Sequence, residues 1–423
     1  MGGEVALRSS LGRPQLVANT QQVVYLLIEL MPTAVVAQVQ MPVAVMFVLD
    51  HSGSMDGAKI KAVRDATSIA LDVLQPEDSI GVIAFNHQHS VLVPHQPVKN
   101  VQQIKAKISQ LKADGGTHIG TALAAALKEI GQARAGMLRR VILLTDGETA
   151  DDEDECLRQA DKAGQSDISI MALGVGDDWN ATLLHEIGNR SANGKADYIN
   201  EPAKLLEYFK TSIQSAQAAV VQNAMLTMRM TPGIALRAAW QVIPLIANLP
   251  SRPLDDRSLT ISLGELEKGQ GQTLLVELTV AAKPVGTFRI GQLDLQYDIP
   301  AAHLQAEHVR ADVLLTFTDQ AAALQAVDPR VMNIAEKVSA HKLQTRALQD
   351  IEAGNIAGAT QKLQSAVTRL LNQGEADLAQ SLQQEVDHLQ QQGQMTAAGQ
   401  KTIKFSSRKT VRLSDLDPSK LKP

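Results

Sequence analysis

The chain has 423 residues, enough for two or three domains, and 44% of them are apolar, enough to fill the cores of those domains. Only 3% are aromatic, so aliphatic side chains and alanine must do most of that filling. A net charge of −5 gives no case for a nucleic-acid binder, and one cysteine, Cys156, excludes an internal disulfide framework.

In chain order, Met1 to Arg8 has no apolar signal-like core, and the apolar stretch from Ala34 to Leu49 is broken by Gln38, Gln40 and Pro42. The expectation is a cytoplasmic protein with no membrane span. Gln21 to Leu30 reads as a strand too short to stand alone. It is expected to pair with strands much later in the chain, leaving the residues between as an insertion. We therefore divide the chain into N-terminal strands (1–41), an α/β domain (42–217), a β-sandwich (218–320), a helical bundle (325–395) and a basic tail (396–423).

Val43 to Leu49 is a short, β-branched run without charge, the pattern of a strand buried on both faces. It ends in Asp50-His51-Ser52-Gly53-Ser54, and a helix is predicted from Ala58 to Leu74. Strands at Ile80–Phe85 and Ser90–Val93 follow, then a helix at Val98–Leu111. Asp114-Gly115-Gly116-Thr117 stands before a helix at His118–Ile130. Val141 to Gly147 is a second buried strand, ending in Asp146. A strand at Ile168–Gly174, helices at Trp179–Gly188 and Pro202–Gln217, and a short strand at Tyr198–Ile199 complete the α/β alternation. That alternation predicts a doubly wound, mostly parallel sheet covered on both faces. In such sheets ligands bind outside the carboxyl ends of the strands.

Asp-x-Ser-x-Ser after one strand, a threonine behind a glycine pair and an aspartate closing a later strand resemble the von Willebrand factor A domain. More narrowly they resemble its metal-ion-dependent adhesion site, with all five positions present: Asp50, Ser52, Ser54, Thr117 and Asp146. The resemblance extends over the whole α/β stretch. It implies a sheet of about six strands with one antiparallel edge and a bacterial cytosolic type of A-domain protein. Magnesium takes six hard oxygens at about 2.1 Å and gives up water reluctantly; manganese suits the same donors. Neutral hydroxyls of Ser52, Ser54 and Thr117 would leave the ion's charge largely uncompensated. With Asp50 and Asp146 acting through water, as the resemblance implies, a partner's Asp or Glu can complete the coordination sphere. Gly116, His118 and Glu148 form the expected rim. The expected function is a metal-dependent protein-interaction module, an adaptor or scaffold and not an enzyme, with a partner ATPase or stress-system component among the candidates.

The alternative is a metal-dependent phosphoryl-transfer or hydrolytic enzyme using Asp50. Such enzymes place a second aspartate two positions on; here that position is Ser52, which removes the proton-transfer group. His87, His89 and His95 lie close in sequence, but no further ligand joins them, and an edge turn is the better reading. His51 is expected to point away from the site. The acidic run Asp151 to Glu155 is adequately explained as the first turn of a helix.

From residue 218 the pattern changes. Ala224–Met230, Leu259–Leu263, Thr273–Val280 and Val313–Thr318 alternate with period two between glycine and proline turns, the signature of an antiparallel β-sandwich. Asp328-Pro329 opens a helical part that Gly354 and Gly374 divide into three helices ending near Gly393. Ala347 to Ala366 resembles a single tetratricopeptide-type hairpin, without a repeat at that period. Leu343, Leu363, Val367, Leu370, Leu371, Leu378 and Leu382 are the expected seam. The basic tail is expected to be disordered, with Thr410 as a candidate phosphorylation site beside Arg408, Lys409 and Arg412.

Overall fold

A computed structural model describes residues 3–34, 36, 41–149, 152–176, 179–199, 201–320, 325–411 and 415. Asp151 of the acidic run and Arg412 of the tail lie outside them. The chain divides into two compact units: residues 39–220, and residues 1–38 together with 221–423.

Three strands precede the inserted unit: β1 (Val5–Leu11), β2 (Gln15–Val17) and β3 (Gln22–Pro32). The inserted unit then runs β4 (Val43–Asp50), α1 (Ala58–Ala70), β5 (Ser79–Phe85), β6 (His89–Pro97), α2 (Val101–Ser109), α3 (Ile119–Ile130) and β7 (Leu138–Thr145). It continues through α4 (Glu153–Gln165), β8 (Ile168–Val175), α5 (Ala181–Arg190), β9 (Lys195–Ile199) and α6 (Leu205–Ala218). Its sheet has the order β6-β5-β4-β7-β8-β9. All neighbours are parallel except the edge strand β6, which runs antiparallel to β5.

Every residue of β4, β5 and β8 is buried, as a sheet covered on both faces requires. Val45, Phe47 and Leu49 face a core completed by Ile60 and Val63 of α1, Ile104 of α2, and Phe209 and Ile213 of α6. The Phe47 and Phe209 rings meet at 5.2 Å between centroids. Helices α3, α4 and α5 pack in succession against the sheet, α3 against β4 and β5 and α5 against β8 and β9. From β4 the chain moves outward to β5 and β6, then returns to β4's other side as β7. The β4/β7 pair is thus where the winding reverses, the position at which such sheets bind ligands.

Chain entry and exit lie together at the opposite end. The buried Asp78 carboxylate accepts the Val43 amide at 2.8 Å on one oxygen. On the other it accepts the Gln75 amide at 2.8 Å and the Gln217 side chain at 2.9 Å.

In the other unit, strands β10 (Ala219–Met230), β11 (Ile234–Ile243), β12 (Ala247–Asn248), β13 (Arg252–Pro253), β14 (Ser258–Glu267), β15 (Gln272–Val280), β16 (Gly286–Ile299) and β17 (Leu304–Thr318) build two sheets with the N-terminal strands. Their orders are β1-β3-β15-β11-β12 and β13-β14-β10-β16-β17-β2. Strand β3 pairs with β15 from Gln22↔Val280 to Leu30↔Gln272, so the two ends of the sandwich come from either side of the insertion.

Four helices follow: α7 (Pro329–Glu352), α8 (Ile356–Asn372), α9 (Ala376–Gln392) and α10 (Ala397–Phe405). Asp328 caps α7 by accepting the Arg330 amide at 2.9 Å, and Gly354 and Gly374 close α7 and α8 at φ of +76° and +75°. Strand β15 is buried on both faces, because Val331, Ile334 and Val338 of α7 cover the side of the five-stranded sheet that carries Leu27, Leu275 and Val242. Among the described residues, no helix is long and apolar enough to cross a membrane.

Two expectations fail here. Residues 397–411 are not disordered: they form α10 and a following 3₁₀ turn, with Ile403, Phe405, Ser407, Thr410 and Val411 buried. Hydrogen bonds tie this segment to the rest of its unit. Arg408 Nε donates to the Ile246 carbonyl at 3.0 Å, and buried Lys337 donates to the Thr410 carbonyl at 2.7 Å and to Asp415 at 2.8 Å. Thr410, only 4% exposed and donating to the Ser407 carbonyl, is not a surface phosphorylation site. Leu371 is the second departure. It is 56% exposed, since it lies about 100° around α8 from Leu370, which takes the seam.

Candidate functional site

The loop after β4 carries Asp50, Ser52 and Ser54. Asp50 ends the strand fully buried and accepts the Ser52 amide at 2.7 Å and the Thr145 hydroxyl at 2.6 Å. Ser52 Oγ and Ser54 Oγ share a hydrogen bond of 3.1 Å, and Ser54 Oγ donates to Asp146 Oδ1 at 2.7 Å. Thr117 closes the group: a Cβ placed on Gly147 would lie 3.4 Å from Thr117 Oγ1 and 3.7 Å from Ser54 Oγ. Residues separated by 92 positions in sequence are thereby within one hydrogen bond of each other.

The loops are fastened to one another by their backbones. Gly53 N donates to the Gly115 carbonyl at 2.9 Å, and Asp114 N to the His51 carbonyl at 2.8 Å. Asn86, just past β5, donates its side-chain amide to the Asp114 carbonyl at 2.9 Å and accepts the His118 amide at 2.8 Å. Of the expected rim, Gly116 and Glu148 are exposed and His118 half-buried. The His51 ring turns aside to the Lys112 carbonyl at 3.0 Å. The three nearby histidines do not gather. His95 bonds Ser79 at 2.8 Å, and burial holds its pKa below the ordinary value, while His87 packs on Gly115.

Electrostatically the centre is a pair of buried acids. Burial raises the Asp50 pKa and the nearby Asp146 raises it further, against the opposing hydrogen bonds from Thr145 and Ser52. Among the described residues, no three His, Cys, Asp or Glu side chains come together as a metal cluster. The donors that do converge are three hydroxyls and two carboxylates, all hard oxygens. That chemistry fits magnesium or manganese and not a soft-ligand metal.

Five residues at the site carry weak sequence signals. Thr145 orients Asp50 from inside β7. Thr149 Oγ1 accepts the Ile119 amide at 3.1 Å, and Asp152 Oδ2 accepts the Gly120 amide at 2.7 Å, so the loop after Asp146 caps the helix after Thr117. Gly120 permits this approach: a Cβ there would meet Asp152 Oδ2 at 2.9 Å and Glu155 Cβ at 2.8 Å. Read locally, Asp152 is a cap for its own helix, α4; its side chain caps α3 instead. Lys59 pairs with Asp146 Oδ2. Its signal is its position in the first turn of α1, where a cation opposes the helix dipole and no acid accompanies it.

The family model of the von Willebrand factor type A domain matches residues 44–211. The inserted unit is a von Willebrand factor type A domain. A second model, the Sll0103-like C-terminal alpha-helical domain, matches residues 329–413 and so includes α10 and the turn after it. The uncharacterized protein sll0103 of Synechocystis is 29% identical over 383 residues, 88% of this chain and 89% of that one. The inter-alpha-trypsin inhibitor heavy chain H4 of Bos taurus is 33% identical over 159 residues, which span 34% of this chain but only 17% of that protein. The structure of a von Willebrand factor type A protein from Catenulispora acidiphila superposes with a TM-score of 0.79 at 21% identity, covering 96% of this chain and 97% of the other. The ArnB paralog VWA2 of Sulfolobus acidocaldarius does so at 0.57 and 14%, covering 96% and 99%. At these identities the likeness is one of fold. A domains mediate protein–protein interactions, and this chain carries one between the strands of a sandwich.

Proposed function

We propose that the A domain binds a partner protein through a divalent cation, magnesium or manganese, and an acidic side chain of that partner. The observation that carries this reading is the convergence of Ser52, Ser54 and Thr117 hydroxyls beside two buried carboxylates at the carboxyl ends of β4 and β7. Ser52, Ser54 and Thr117 would hold the ion, and Asp50 and Asp146 would act on it through water. Bound there, the ion supplies a Lewis-acidic position for a carboxylate.

The residues around it have the properties such a site needs. Thr145 and the Ser52 amide hold Asp50 in one orientation. The backbone bonds between the Asp50 and Thr117 loops fix the hydroxyls relative to one another before any partner arrives, which lowers the ordering cost of binding. We assign binding and not turnover, because the position two residues after Asp50, where the phosphoryl-transfer alternative needs a second aspartate, is a serine whose hydroxyl is engaged with Ser54.

The test is affinity capture from the native lysate in magnesium, comparing wild type, the Asp50→Ala/Ser52→Ala variant, and wild type in EDTA. A partner retained only by wild type with metal is the expected result, and Asp or Glu substitution on that partner should then release it. Partners held equally in all three samples would move the binding function to the sandwich or the helices.

A further inference from the structure

The Lys59 contact leads beyond the five expected positions. Lys59 sits in the first turn of α1, where the dipole disfavours a cation, and its side chain crosses to Asp146 Oδ2. The Lys59 side chain is 27% exposed and Asp146 is fully buried, so the ammonium is the member of the pair with a route to water. The other Asp146 oxygen is taken by the Ser54 hydroxyl. Lys59 is therefore the positive charge that balances one of the two buried acids. It also stands on the carboxylate that the proposed ion would need. Gly176, just past β8, lies beside the Lys59 stem: a Cβ there would be in ordinary contact, 3.7 Å from both Cε and Nζ.

We infer that Lys59 is a tethered counter-ion that competes with the divalent cation for Asp146, and so sets the concentration at which the site loads. This rests on the metal-binding reading above. A dication entering beside the three hydroxyls meets two carboxylates but also an ammonium at close range. It must drive that ammonium toward solvent or bind against its repulsion. The lysine thus lowers affinity for the ion while keeping the buried Asp146 from standing unpaired. Its flexible four-carbon stem makes the displacement feasible.

The experiment uses the full chain in four forms: wild type, Lys59→Met, Lys59→Arg and Lys59→Met/Asp146→Asn. Isothermal titration with magnesium and with manganese measures affinity, and melting in EDTA gives a readout that needs no metal. Lys59→Met, neutral and of similar length, should bind either ion about tenfold more tightly, while Lys59→Arg, which keeps the charge, should stay near wild type. In EDTA, Lys59→Met should melt below wild type, and adding Asp146→Asn should restore the loss, because position 146 then carries no charge to be left without its counter-ion. If wild type binds metal and Lys59→Met binds it equally or more weakly, the counter-ion inference is overturned while the metal site stands. If neither binds metal, the metal-binding reading fails and the competition with it, even where the EDTA melts reveal the ion pair.

Discussion

Asp50 shows what a single residue contributes. Its carboxylate is desolvated and has a neighbouring acid, yet it is held by two short hydrogen bonds. Asp50→Asn keeps the shape and removes the charge, and the Thr145 hydroxyl can turn to accept from the new amide. Melting in EDTA is therefore expected to be unchanged or higher than wild type, while the stabilisation by millimolar magnesium disappears. A large loss of stability in EDTA would instead make Asp50 a structural residue.

His341 makes the complementary point far from the site. Its ring stands edge-on to Trp240 at 6.2 Å, bonds Ser407 at 2.9 Å and lies near the Arg408 guanidinium. Burial, with Arg408 adding to it, lowers its pKa to about 4 from the ordinary 6.5. An unfolded histidine takes its proton near pH 6.5 and the folded one only near pH 4. Between those values the unfolded state binds more protons, so stability falls as pH falls. The loss should be on the order of 2 kcal/mol across that window. Urea titrations followed by tryptophan fluorescence at pH 7 and pH 4.5 measure it, and His341→Gln should flatten that part of the dependence.

At the scale of elements, α10 and its following turn carry the clearest test. Phe405 is 2% exposed, and Phe405→Ala should cost about 3 kcal/mol through the cavity it leaves. Brief trypsin digestion should spare Lys401 and Arg408, both buried, whereas a disordered tail would be cut there first. The composition of this segment is that of a solvated tail, and nothing local indicates that Lys337, Ile246 and His341 await it.

Strands β11 and β16 are not legible in the sequence for a different reason. Register shifts at Leu236/Ala238 in β11 and at Arg289/Gly291 in β16 interrupt the alternation by which a strand is recognised. Strand β15 misleads in the opposite sense. Its sequence alternates as a one-faced strand does, but α7 covers its second face, and Glu277 is accommodated there by Lys342 at 2.6 Å.

At the scale of the whole molecule, three loops converge that lie far apart in sequence. Hydrogen exchange in magnesium against EDTA should therefore show added protection in three separate segments together: 50–54, 115–120 and 145–149. Asp50→Asn should abolish all three at once. Protection confined to one of them would contradict a shared ion. The nested arrangement makes a second demand on the chain, since β3 cannot pair with β15 until both sides of the insertion have been made.

The sequence by itself determined the A domain. Buried parallel strands have no polar face, so they appear as unbroken apolar runs, and the site residues follow them directly at the strand ends. The positions of Asp50, Ser52, Ser54 and Asp146 were legible as candidates for that reason, and that of Thr117 from the glycine pair before a helix. So were Asp328-Pro329 and the helix-closing glycines, whose roles depend on backbone geometry within a few residues. The tertiary structure alone decided which partners those residues meet. It brought Lys59 to Asp146, Asp152 to the start of α3, Asp78 to both chain connections and residues 397–411 to the interior of their unit. Each of these joins charged or polar groups from distant segments, and their worth depends on burial and on the partner's position, neither of which is written in local pattern.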